Sequence, residues 1–138
     1  MAYGGYLLKI GDYTVPTSII KADSYSAYEN MQDVDPWTDA NGYLHRTAVA
    51  LKAIKVEFET HAGMYSDEFD EFMENVQKQF VNSTERGCYI TAYIPQTRKY
   101  VTQYGYMADI EPSIYGVFDG KIMYNACKFS FIGGVYNG

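Results

Sequence analysis

Two histidines, two cysteines and a run of spaced oxygen donors are the residues of this 138-residue chain suited to chemistry. His45 follows Asp39 and precedes Arg46, a histidine–carboxylate grouping of the kind that moves protons in general acid–base catalysis. The same grouping is an ordinary surface or packing arrangement, and that is the expectation here. His61 stands apart from it. No HxxxH, CxxC or HExxH spacing occurs, so a zinc site is not expected. Asp33, Asp35, Asp39 and Asn41 alternate as ligands do in a calcium loop. Pro36-Trp37 interrupts that run, and the closing glutamate is missing at the needed distance. There is no GxSxG elbow, no cysteine in a Gly-rich turn and no Gly-rich phosphate loop before a helix. Asn82-Ser83-Thr84 fits the N-glycosylation pattern, which has no bearing without secretion. The carboxylates Asp67, Glu68, Asp70, Glu71 and Glu74 read as the wet face of a helix. The expectation is a protein that is not an enzyme, with no catalytic residue, no metal and no cofactor.

Composition narrows the class further. The apolar fraction of 47% is enough for one folded domain over residues 1–138. The net charge is −6, and the eleven basic residues are scattered, the nearest cluster being Arg98-Lys99. Sequence-specific nucleic-acid binding needs clustered Lys and Arg on the phosphates, so it is not expected. No run approaches the roughly 18 apolar residues of a membrane span. MAYGGYLLKIGDY lacks a basic stretch followed by an apolar core, so no signal peptide is read. Cys88 and Cys127 fall inside expected strands and read as buried free thiols, compatible with synthesis in a cytoplasm. The 15 tyrosines are unusual. A tyrosine ring with a polar tip suits half-buried strand faces and protein interfaces.

The elements that must position these residues are mostly strands. Tyr6 to Ile10 and Tyr13 to Val15 form a hairpin around Gly11-Asp12, and Pro16 ends it. Ile19 to Tyr28 reads as a further strand. A long polar loop, Glu29 to Gly42, carries the lone Trp37. Such a loop is mobile or functional, and its tryptophan folds back on its own domain or packs on a neighbouring subunit. Tyr43 to Thr60 reads as a long strand bent near Ala48 to Ala50, with Ile54, Val56 and Phe58 facing the core at period two. Ser66 suits an N-cap. Phe69, Phe72, Met73, Val76 and Phe80 then make the apolar stripe of a single helix over about 66–80. Gly87 to Ile94 and Tyr100 to Ile110 are strands with tyrosine and threonine on their outward faces. Pro112 to Gly120 reads as a loop, Lys121 to Ile132 as the last strand, and both termini as flexible, Gly4-Gly5 and Gly133-Gly134 included. The fold class is mainly β (α+β): an antiparallel β-sandwich or partly closed barrel with one flanking helix.

Two patches carry a family resemblance. Asp39-Ala40-Asn41-Gly42-Tyr43-Leu44-His45-Arg46, followed by the alternating Lys55-Val56-Glu57-Phe58-Glu59, resembles small tail-associated structural proteins of phages and prophages of Gram-positive bacteria. The opening Leu7-Leu8-Lys9-Ile10-Gly11-Asp12-Tyr13-Thr14-Val15-Pro16 is similar as well, as is the order of one helix after the long strand and then strands to the end. The resemblance implies a virion structural protein with a tail-tube or baseplate-hub fold, and tube, hub and completion factor all stay open. It implies a ring-forming homo-oligomer, most often hexameric, that contacts other tail proteins around a DNA channel. DNA would be non-specific cargo there, and no membrane would be involved. The protein would sit in the virion tail after synthesis in the host cytoplasm. The matching long loop would reach the adjoining subunit. The expected subunit interface is Trp37, Asp39, Tyr43, Tyr89, Tyr93, Tyr104, Tyr106 and Tyr136. The reading from another class is a stand-alone aromatic-rich carbohydrate- or protein-binding β-module.

Overall fold

The segment Ala53–Glu59 alternates buried and half-buried positions without a break, which is the signature of a strand with one face on a core. Around it the computed structural model describes residues 3–30, 37–38, 40–42, 44–45 and 53–134. The elements run β1 (Leu8–Ile10), β2 (Tyr13–Thr14), β3 (Ser26–Asn30), β4 (Trp37–Thr38), β5 (Leu44–His45), β6 (Ala53–Glu59), β7 (Met64–Tyr65) and α1 (Ser66–Lys78). They continue β8 (Gly87–Ile94), β9 (Lys99–Met107), β10 (Ile114–Phe118), β11 (Lys121–Tyr124) and β12 (Lys128–Ile132). Seven strands form one sheet in the order β2-β1-β8-β9-β12-β6-β3; β10-β11-β7 and β4-β5 form smaller ones. Every ladder among the described residues is antiparallel.

Among the described residues the protein is thus mainly β with one helix, and its sheets do not close into a barrel. The large sheet does curl. Tyr25, just before β3, places its hydroxyl 3.0 Å from the Leu7 carbonyl oxygen and 2.9 Å from that of Tyr93, tying one edge to the β1–β8 side. The enclosed face supplies Leu8, Ile10, Ile54, Val56, Phe58, Ile90, Ile94, Phe129 and Phe131, all buried. The helix closes this core with Phe69, Phe72 and Val76. Phe58 stacks on Phe129 at 5.4 Å, and Phe72 meets Phe129 edge-on at 5.2 Å.

Several expectations need correction. Ile19 to Tyr28 is not one strand. Ile20 makes an isolated bridge to Thr60, and a turn follows in which Asp23 takes φ 66°. The Ser24 hydroxyl donates to the Lys21 carbonyl at 2.6 Å. Short polar side chains of this kind compete with a ladder for backbone partners. The strand begins at Ser26 and takes in Glu29 and Asn30, which the sequence reading gave to the loop. Tyr43 to Thr60 holds two strands, β5 and β6, that belong to different sheets, and the bend expected near Ala48 to Ala50 lies outside the described residues. Ser66 is the first helical residue, not the cap. Tyr65 stands at the N-cap with no side-chain bond.

Pro112 to Gly120 is no loop but contains β10, and Lys121 to Ile132 is two strands. The break lies at 125–127, where the backbone bonds leave the ladder. The Asn125 N–H donates to the Ser113 carbonyl at 3.0 Å while its side-chain amide donates to Ser113 Oγ at 3.0 Å, and the Cys127 N–H donates to Thr60 Oγ1 at 2.9 Å. Gly133 is buried rather than loose. Its N–H donates to the Ile54 carbonyl at 2.8 Å, and a Cβ there would lie 2.6 Å from Gln103 Oε1.

Candidate assembly surface

The longest ladder, β8 with β9, pairs Gly87 with Tyr106 through to Ile94 with Lys99. Period two sends Cys88, Ile90, Ala92 and Ile94 into the core and turns Tyr89, Thr91 and Tyr93 outward. Their partners on β9 are Tyr104, Thr102 and Tyr100. The rings of Tyr89 and Tyr104 meet edge-on at 5.2 Å, those of Tyr93 and Tyr100 at 5.3 Å. Between them the Thr91 and Thr102 hydroxyls lie 2.8 Å apart. Cross-strand pairs of these types stabilise a sheet by about 0.2–1 kcal/mol each. Tyr104 also lies over Gly87, where a Cβ would collide with its hydroxyl, so glycine is what lets the ring sit down on the sheet.

The chain's own N-terminal segment covers one end of this face. Tyr6 stacks on Tyr100 at 4.6 Å, and Tyr3 meets Tyr93 edge-on at 6.0 Å. The Tyr100 hydroxyl donates to the Tyr6 carbonyl and accepts the Gly4 N–H, both at 2.7 Å. At the other end Tyr89 is 45% exposed.

A second apolar surface is the hairpin of β10 and β11. Asp119-Gly120, with φ 50° and 75°, makes the two-residue turn between Phe118 and Lys121. Positive φ at both central residues is the hairpin geometry that an Asp-Gly pair favours. A register shift between Ile114 and Gly116 leaves Tyr115 outside regular pairing. Ile114, Tyr115, Val117 and Phe118 are all exposed. Among the described residues β10 is also an edge strand of its sheet.

Charged groups frame these surfaces in small pairs. Glu57 bonds Lys55 at 3.0 Å and Lys128 at 3.2 Å on the outer side of β6 and β12, and those hydrogen bonds, Lys55's first, hold its carboxyl below the usual range. Lys121 beside Asp67 at 2.9 Å lowers that carboxyl likewise. Burial pushes the Cys88 thiol up to about 11 and raises Cys127, so both remain protonated and unreactive near neutral pH. His61 Nε2 lies 3.0 Å from Glu68 Oε1 at the exposed start of the helix. Among the described residues no three His, Cys, Asp or Glu side chains are grouped to hold a metal ion.

Of the expected interface residues, Tyr89, Tyr93, Tyr104 and Tyr106 come together on the outward face of β8 and β9. Tyr93 is already engaged by the N-terminal segment. Trp37, expected in the long polar loop, lies in β4 with its backbone paired to His45. Asp39, Tyr43 and Tyr136 lie outside the described residues, as does most of the proposed calcium run and the Asp39 half of the His45 pair.

A family model matches residues 1–136. The chain belongs to DUF6711, a family of unknown function. No curated protein matches this DUF6711 sequence. Among solved structures, a chain from the tail of an empty GTA particle, helically refined with C6 symmetry, is similar. The match covers 96% of this chain and 92% of that one, at a TM-score of 0.52 and 12% identity. At that identity the likeness is one of fold.

The apolar hairpin of the DUF6711 chain was absent from the sequence-based interface. Its signal was present: Asp119-Gly120 flanked by Ile-Tyr-Gly-Val-Phe and Lys-Ile-Met-Tyr is a hairpin pattern. The irregular residue at Tyr115 and the glycine at 116 disrupt the alternation, which made the first arm read as loop. Tyr3, Tyr6 and Tyr100 were likewise outside that set, because packing across so long a stretch of sequence leaves no local pattern.

Proposed function

We propose that this protein is a structural, non-catalytic subunit of a phage-type virion tail, assembling as a ring of identical copies in a tail tube or baseplate hub. The observation that carries the reading is the fold agreement over nearly the full length of both chains with a tail protein held in C6 symmetry. Two surfaces support it. Tyr89 on the tyrosine face of β8–β9 and the apolar side chains of the β10–β11 hairpin are exposed in the single chain and are of the types that interface cores favour. The acidic balance suits a wall that lets DNA pass without adhering, since like charge suppresses contact. DNA is then cargo, and other tail proteins above and below are the partners.

The test is direct. Purified protein at rising concentration is followed by analytical ultracentrifugation and negative-stain electron microscopy. Discrete rings with six-fold class averages are expected. A particle that stays monomeric at the highest attainable concentration overturns the reading.

A further inference from the structure

The face that the hairpin needs is present on the same chain. Between the end of α1 and the end of β9 lies an open groove of about 470 Å³, lined by the apolar side chains of Met73, Phe80, Met107 and Ile110 and by the polar Gln77, Ser83, Thr84 and Arg86. This volume falls within the range of clefts that hold a small ligand, and it is large enough for one aromatic and one aliphatic side chain. The hairpin offers that pair. Tyr115 and Val117 are 67% and 66% exposed, and Phe118 stacks on Tyr115 at 6.1 Å. Asp119 at the tip makes no ion pair among the described residues. Arg86 carries the opposite sign beside the groove. Its Nε donates to the Met107 carbonyl at 2.9 Å and Nη2 pairs with Asp109, which leaves Nη1 for a further acceptor.

We infer that the β10–β11 hairpin of one copy docks in the Met73–Phe80–Met107–Ile110 groove of the next, with Asp119 meeting Arg86. This rests on the ring reading above and deepens it by naming the joint. Symmetry favours two different patches. A cyclic ring of more than two copies needs a head-to-tail contact, in which a knob on one subunit meets a hole on its neighbour. A hairpin meeting another hairpin would stop at a dimer. The apolar side chains on both faces, and the opposite charges of Asp119 at the tip and Arg86 in the groove lining, favour a second copy of this chain as the occupant.

The experiment uses two full-length variants. Val117→Asp spoils the hairpin at an exposed position outside the core; Phe118→Asp is its duplicate. Ser83→Trp fills the groove from an exposed lining position. Thermal melting within a few degrees of wild type shows that each still folds. Each variant alone is expected to sediment as a monomer at concentrations where wild type forms rings. Mixed together, hairpin-dead and groove-dead chains are expected to form a 1:1 dimer and nothing larger, because each keeps the half that the other lacks.

Wild-type rings alongside variants that still assemble overturn the joint and leave the ring reading standing. A groove-dead chain that dimerises by itself assigns the hairpin to a two-fold contact and overturns the joint. A mixture that yields no dimer, when each variant alone has lost its rings, also rejects the pairing of hairpin with groove. A wild type that never self-associates overturns the ring reading and the joint with it.

Discussion

Phe72 is the side chain on which the helix–sheet contact turns. It is buried, and its ring lies 5.2 Å from Phe129, 6.4 Å from Phe58 and 6.3 Å from Tyr13. Removing a ring so enclosed costs the transfer energy and leaves a cavity, so Phe72→Ala is expected to lower stability by about 3–5 kcal/mol, read by urea denaturation. A loss under about 1 kcal/mol would mean that the helix slides to fill the gap. Glu57 makes a different prediction. Its carboxyl is lowered in the fold by Lys55 and Lys128, so the folded state favours the ionised form. That contribution is present above the unfolded carboxylate value and fades as pH falls through the folded one. Glu57→Gln is therefore expected to cost no more than about 1 kcal/mol at neutral pH, with the gap to wild type closing as the solution is made acidic. A gap that is the same at neutral and acidic pH would assign the loss to packing instead.

At the scale of elements, the legible parts were those whose pattern is local. Gly87 to Ile94 alternates strictly, and its strand has those bounds. The stripe Phe69, Phe72, Val76 fixed which face of the helix is buried. What was not legible depends on partners distant in sequence. The break at 125–127 exists because Thr60 and Ser113 supply bonds to Cys127 and Asn125. The turn after Ile20 is set partly by Glu59, whose carbonyl accepts the Lys21 N–H at 2.8 Å. The tyrosine face was readable from alternation alone, yet its coverage by Tyr3 and Tyr6 was not, because nothing in residues 3–6 points to Tyr93 or Tyr100. Gly105 shows the same limit. In sequence it is an unremarked glycine in a strand, but in the fold it lies against β12, where a Cβ would collide with the Ile132 carbonyl oxygen. Gly105→Ala must push β9 from β12 and is expected to destabilise by about 1–3 kcal/mol. Loss of amide exchange protection at Ile132 and Tyr106, which face each other across that ladder, would locate the damage. Protection unchanged there would show that the strands accommodate the methyl group.

For the whole molecule the governing quantity is the balance between apolar contact and self-repulsion. Seventeen acidic and eleven basic residues leave each copy at −6. Copies brought side by side repel one another, and salt screens that repulsion over a Debye length that shrinks from about 30 Å at 0.01 M to about 10 Å at 0.1 M. If the joints are tyrosine rings and an apolar hairpin, their attraction is little weakened by salt. Raising ionic strength across that range should then strengthen assembly, moving the midpoint of ring formation to lower protein concentration. If the joints were instead networks of surface ion pairs, such as Asp67 with Lys121, screening would weaken them and the midpoint would move the other way. Sedimentation at the two ionic strengths separates these cases, and a midpoint that rises with salt would remove the apolar surfaces from the centre of the assembly.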